Sequence, residues 1–205
     1  MAVASVPTLT SRGVATRQRL IDAAREELID TGGVLEVAGV AQRAEVSPGL
    51  LYRYFGSKDG LLVAVVDAFY DAYDAAAFQA PLAPDVDWSA RERLRLQRAI
   101  DFLCDDPLGR VIVARRLREG AAAQADAERL AAQIALAARN VARGQRAGEV
   151  DPMIDPRLVA AAFLGAFREL MGEALSRDRM PARDALLRTL VRLGASIIPA
   201  REGQA

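Results

Sequence analysis

The 205-residue chain has no histidine, and only one each of cysteine, tryptophan and lysine. Without imidazole there is no His-based catalytic triad, no His-ligated metal and no imidazole acid–base chemistry near neutral pH. Cys104 forms no intrachain disulfide, and in Ile100-Asp101-Phe102-Leu103-Cys104 it reads as a buried small hydrophobe rather than a reactive thiol. Charge of one sign is missing too. Lys+Arg and Asp+Glu both total 27, which excludes bulk electrostatic binding of nucleic acid but leaves a local basic face open. The longest apolar run, 158–167, lies between Arg157 and Arg168 and is too short to span a bilayer. Residues 1–14 carry neither a basic start nor a long apolar stretch, so no targeting segment and no membrane partner are read there, and a cytoplasmic protein is expected. No paired catalytic constellation stands out, so neither an enzyme nor a cofactor is implied.

What is present is helix-forming sequence. Apolar residues make up 52% and charged residues 26%, the balance of a globular protein of one or two domains. Ala, Leu, Arg and Glu dominate, and no bounded alternation marks a strand. The fold class is therefore all-α. Nine helices are expected, over about residues 15–31, 37–44, 47–55, 57–78, 89–104, 107–119, 122–146, 156–176 and 181–198. Ser47-Pro48, Asp106-Pro107 and Asp155-Pro156 each place a capping residue before a first-turn proline. Residues 1–14 read as a flexible arm, 15–58 as one domain and 59–205 as a second.

The informative stretch is VAQRAEVSPGLLYRYFGSKDGLL, residues 40–62. Two short helices joined by a tight turn make a helix-turn-helix, whose second helix can enter a DNA major groove. Val40, Ala44, Val46 and Leu51 are spaced to form its small core. Gly49 lets the second helix approach a duplex closely. Tyr52, Arg53, Tyr54 and Lys58 supply donors where phosphates would run, and Lys58 adds its charge to the positive end of the next helix.

Ala41-x-Arg43-Ala44-x-Val46-Ser47-x-Gly49-x-Leu51-Tyr52-x-Tyr54-Phe55-x-Ser57-Lys58-x-x-Leu61-Leu62, with Thr16-Arg17-x-x-Leu20-Ile21-x-Ala23-Ala24 upstream, resembles the TetR family of bacterial transcriptional regulators. The resemblance covers about residues 15–65 at the level of motif. It implies an N-terminal three-helix DNA-binding domain and a C-terminal domain that binds a small molecule and dimerises through its last two helices. Carried over by position, Tyr52, Tyr54 and Lys58 would touch phosphates, and Ser47, Pro48, Gly49 and Leu50 would face base edges. Arg12, Thr16 and Arg17 would lie by the backbone or minor groove, and Phe55 would pack in the core. Arg43 and Arg53 are counted with the DNA contacts. Glu45 stands where the family usually carries glycine, and Leu50 where Ser or Thr often contacts DNA. Gly39 weakens its helix by about 1 kcal/mol relative to alanine.

Three further expectations concern the second half. The Arg-rich stretch 91–98 reads as a solvated face, although one arginine turned inward could hold an anion. A ligand pocket would draw on Trp88, Phe102, Leu103, Val111, Ile112, Arg115 and Ile134, each of which reads first as plain core, with the ligand unknown. Ala161, Ala162, Gly165 and Gly172 would allow close helix approach, and Leu186, Leu190, Leu193 and Ile197 line the last helix. These read either as intrachain core or, as the resemblance implies, as a homodimer interface, which suits DNA reading because one short helix reads too few bases and a two-fold dimer presents two readers roughly 34–36 Å apart. The leading function is a ligand-responsive repressor on a palindromic double-stranded DNA operator. The alternatives are an activator or a helical small-molecule-binding protein.

Overall fold

The computed structural model describes residues 10–82, 86–114 and 120–199. Among them every regular element is helical: α1 (Ser11–Asp30), α2 (Val37–Arg43), α3 (Pro48–Phe55), α4 (Lys58–Asp74), α5 (Trp88–Asp105), α6 (Pro107–Gly109), α7 (Gly120–Arg146), α8 (Pro156–Ser176) and α9 (Arg183–Ile197). The all-α, nine-helix expectation holds for the described residues. Wider π-helical turns continue α4 over Ala75–Gln79 and α6 over Arg110–Ala114, which the sequence reading had as plain α-helix. No helix among the described residues is long and apolar enough to cross a membrane.

Side-chain caps explain most of the boundaries, because the first N–H groups of a helix have no partner within it. Asp87 Oδ1 accepts from Ala90 N at 2.7 Å, Asp106 Oδ1 from Leu108 N at 2.8 Å, and Asp155 Oδ1 from Arg157 N at 2.8 Å. Thr10 Oγ1 accepts from Gly13 N at 3.2 Å, so α1 starts at Ser11. Residues 11–14 are therefore helix, a correction to the expected arm, whose residues 1–9 lie outside those described. Cys104 is half-exposed, so the expectation that it is buried is also corrected.

Packing divides the chain into two compact units, Met1–Val65 and Val66–Ala205. The division falls after Val65 rather than after Lys58 because α4 begins hard against the end of α3. A Cβ at Gly60 would lie 2.1 Å from Phe55 O, so only glycine permits that approach. In the first unit, Leu20, Ala24 and Leu28 of α1 are buried, as are Val40 and Ala44 of α2, Leu51 of α3 and Leu61 of α4. Each Leu or Val here contributes roughly 1.5–3 kcal/mol by leaving water. Val46 is half-buried.

In the second unit α7 packs on α8, α8 on the π-turn after α6, and α5 on α9. Phe69, Ile100, Leu108, Met171 and Leu190 are among its most buried side chains. Polar groups fix the register of α4 on α7. Tyr70 O–H donates to Asp126, Arg129 Nε donates to Asp67 Oδ1 at 2.9 Å, and Gln133 Nε2 donates to Asp74 Oδ1 at 2.9 Å. Arg168 of α8 pairs with the other oxygen of Asp126.

Candidate functional site

The turn between α2 and α3 is closed by Val46 N donating to Ala41 O at 3.0 Å, and Glu45 takes φ 53° in it. That left-handed conformation favours glycine, so Glu45 adopts the turn its position demands at some strain. Leu51 is fully buried and fixes the inner face of α3. Ser47, Pro48, Gly49, Tyr52 and Arg53 are consequently exposed, Tyr52 by 48%, and Leu50 is half-buried. Ser47 sits at the N-cap position but its hydroxyl makes no cap bond, so the side chain is left to external partners. A Cβ at Gly49 would meet nothing within 4 Å.

Lys58 is exposed at the first residue of α4, where Ser57 Oγ accepts from Gly60 N at 2.9 Å. Among the described residues neither Arg53 nor Lys58 pairs with a carboxylate. Tyr54 is half-buried, with its ring centroid 6.5 Å from that of Phe55. Phe55 is itself half-buried, short of the core position the resemblance implied, and the Arg17 guanidinium lies 5.2 Å from its ring centroid. Arg12 is exposed on α1, and Thr16 Oγ1 donates to Arg12 O at 2.9 Å.

Arg43 departs from its expectation as a DNA contact. Its Nε donates to Glu27 Oε2 at 2.8 Å and its Nη2 to Asp30 Oδ2 at 2.7 Å, with Glu26 nearby. These carboxylates, Glu27 foremost, hold the guanidinium more firmly charged than usual and turn it toward α1.

The second unit encloses a cavity of about 400 Å³. Tyr73, Phe78, Trp88, Phe163 and Phe167 supply its aromatic wall, and Glu92, Arg93, Arg95 and Glu149 its polar lining. Burial pushes the Tyr73 phenol up, so it remains a neutral O–H. Burial also pushes the Glu92 carboxyl up, against the opposing effect of Arg95. Trp88 donates its backbone N–H to Glu149 and its Nε1–H to Asn140 O at 3.2 Å.

Of the expected pocket residues, Trp88 lines this cavity. Phe102, Leu103, Val111, Ile112 and Ile134 do not, in keeping with their first reading as plain core. Phe102 stacks with Phe69 and Tyr73, while Leu103, Val111 and Ile112 are buried in the core. Ile134 is half-buried on α7, and Arg115 lies outside the described residues. Sequence reasoning missed Phe163 and Phe167, whose four-residue spacing put them on one face of α8, and Arg95, hidden in the Arg-rich stretch.

The expected dimer residues also divide. Gly172, Leu186 and Leu190 are buried within the chain itself, a correction, since each already packs against its own protomer. Gly172 approaches Val113 O so closely that a Cβ would lie 3.3 Å from it. Ala161, Gly165, Leu193 and Ile197 are half-buried and Ala162 is exposed, beside Leu158 at 70% exposure.

Residues 20–65 match the family described as bacterial regulatory proteins, tetR family. The HTH-type transcriptional regulator BetI of Burkholderia thailandensis is 37% identical over 99 residues, 47% of this chain and 49% of that protein. The chain thus spans about half the length of the curated relatives it matches. A crystal structure of a TetR-family regulator from Mesorhizobium loti superposes with a TM-score of 0.70 at 20% identity, covering 92% of this chain and 99% of that one. The structure of AibR in complex with isovaleryl coenzyme A and operator DNA superposes with a TM-score of 0.64 at 16% identity, over 87% of this chain and 97% of that one. At these identities the structural likeness establishes the shared two-domain helical fold.

Proposed function

We propose, for a chain that belongs to the TetR family of bacterial transcriptional regulators, that it is a ligand-responsive repressor which binds a palindromic operator as a homodimer. The observation that carries this reading is the exposed row Ser47, Pro48, Gly49, Tyr52 and Arg53 on α3, with exposed Lys58 beyond it. Base edges fall to Ser47, Pro48, Gly49 and Leu50, and phosphates to Tyr52, Arg53, Tyr54 and Lys58. Arg12, Thr16 and Arg17 lie toward the flanking backbone. One such helix reads few base pairs, so two copies on successive turns of the duplex are required. Ala161, Ala162, Gly165, Leu193 and Ile197, with exposed Leu158, offer small and apolar side chains for that pairing.

The cavity is the effector site in this reading. Its size lies within the usual range for small-molecule pockets, about 300–1,000 Å³. Tyr73 lines it and belongs to the same helix as Lys58. A ligand that favours one packing of the helices around Tyr73 shifts the population of DNA-competent dimers by its differential affinity for the two states. The precedent of AibR, solved with both an acyl-CoA and operator DNA, supports pairing the two activities.

The test is binding of the purified chain to DNA from its own promoter region at moderate salt. A protected palindrome, and its loss in Tyr52→Ala with the dimer still folded, are the expected results. A monomer in solution, or unchanged affinity in Tyr52→Ala, removes the reading.

A further inference from the structure

We propose that the cavity takes an amphipathic anion, an apolar body ending in a carboxylate or similar group, with the charged end at Arg93 and Arg95. The proposal rests on the reading of this cavity as the effector site. Along the polar lining stand two guanidiniums, Arg93 and Arg95, and three carboxylates, Asp87, Glu92 and Glu149. Each of three lining carboxylates is already engaged. Asp87 caps α5 at Ala90 N, Glu149 accepts the Trp88 N–H and lies 3.4 Å from Arg91, and Glu92 accepts from Arg95.

The guanidiniums are not saturated. The Arg95 side chain is only 11% exposed, bonds to Glu92 alone among the described residues, and leaves a buried Nε–H with no acceptor. Arg93, two residues earlier on the same helix, is exposed and has no hydrogen bond or ion pair among the described residues. A buried donor without a partner is destabilising until something supplies an acceptor. A carboxylate does so with charge-assisted bonds, whereas a cationic head supplies no acceptor. The rest of the lining, including Phe163, Leu164, Phe167 and Val191, suits an apolar body. At about 400 Å³ the cavity has the size of a small-molecule site, which suits a chain of about ten carbons and its head.

The sole tryptophan, Trp88, lines the cavity and reports binding by its fluorescence. The full chain is titrated with decanoate, 1-decanol and decyltrimethylammonium, three probes that share one tail, each below its critical micelle concentration. Decanoate is expected to bind at least about tenfold tighter than the cation. Arg93→Gln is expected to weaken decanoate by about tenfold and to leave decanol within about twofold. Arg95→Gln, checked by thermal melt because Glu92 loses its partner, gives a second reading of the same contrast. Affinities that ignore the head group, tighter binding of the cation, or equal effects of Arg93→Gln on decanoate and decanol all overturn the anion assignment. They leave the cavity itself standing. No Trp88 response to any of the three probes removes the cavity as a binding site, and with it the reading on which the proposal rests.

Discussion

The carboxylate of Glu27 occupies the space where a side chain at Gly39 would stand. A Cβ added to Gly39 would lie 2.2 Å from Glu27 Oε1. Glu27 is buried on α1 and receives the Arg43 Nε–H at 2.8 Å. Glycine, which weakens α2 in isolation, thus makes room for the ion pair that ties α2 to α1. A Cβ at Gly39 displaces the Glu27 carboxylate from its place against Arg43. Gly39→Ala is therefore expected to lower stability despite gaining about 1 kcal/mol of helix propensity. In a Glu27→Ala background the same substitution is expected to stabilise by about that amount. Urea midpoints of the four members of this cycle check the sign reversal.

Glu45 makes a second testable conflict between residue and backbone. Its φ of 53° is tolerated by glycine without a Cβ clash. Glu45→Gly relieves roughly 1–2 kcal/mol of left-handed strain and gives back part of that through the freer unfolded chain, a net gain of roughly 0.5–1 kcal/mol. It also removes a carboxylate from the turn beside α3, the proposed DNA-facing helix. A rise in melting temperature together with tighter operator binding is the expected pair of results. A fall in melting temperature contradicts the strain.

These two sites show why the sequence carried some features and not others. Asp106, Asp155 and Pro48 act within one turn of their own positions, so their roles were legible from local pattern. The exposure of Ser47, Pro48, Gly49 and Tyr52 followed from Leu51 as the buried residue of a short helix. Arg43 and Gly39 depend on Glu27, more than ten residues away, and no local pattern joins them. Arg95 is largely buried where Arg93 is exposed, a difference that arises only once the second unit has packed. Gly172 and Leu190 carried the small and apolar character of interface residues, but the chain's own core uses them first.

Asp74 gives a pH dependence with a definite sign. It is buried, and its carboxyl is pushed up by burial, with the Gln133 hydrogen bond only partly opposing this. Between the ordinary carboxylate value and the raised one, the folded chain holds a proton that the unfolded chain has released. This contribution to stability therefore rises as pH falls through that window. Asn at this position mimics the protonated form and still accepts from Gln133. Asp74→Asn is expected to raise the melting temperature at pH 7, and the gain is expected to shrink toward zero below about pH 4. A lower melting temperature at pH 7 would show that the charge is needed where it stands.

Lys58 and Arg43 separate the proposed DNA face from the fold that supports it. Lys58 is exposed at the start of α4 with no carboxylate partner among the described residues, so a phosphate gains its full charge. Arg43 is already committed to Glu27 and Asp30. Removing Lys58 releases one fewer counterion on binding, so Lys58→Ala is expected to weaken all DNA sequences about equally and to reduce the salt slope by about one unit. Arg43→Gln is expected to lower the melting temperature, because buried Glu27 loses its cation, and to leave the salt slope unchanged at temperatures where the chain stays folded. Affinity measured over a range of salt concentrations for both variants, with melting curves alongside, distinguishes the two roles. The reverse pattern, a slope lost with Arg43 and kept without Lys58, would put the end of α2 against the phosphates and move the interface away from the start of α4.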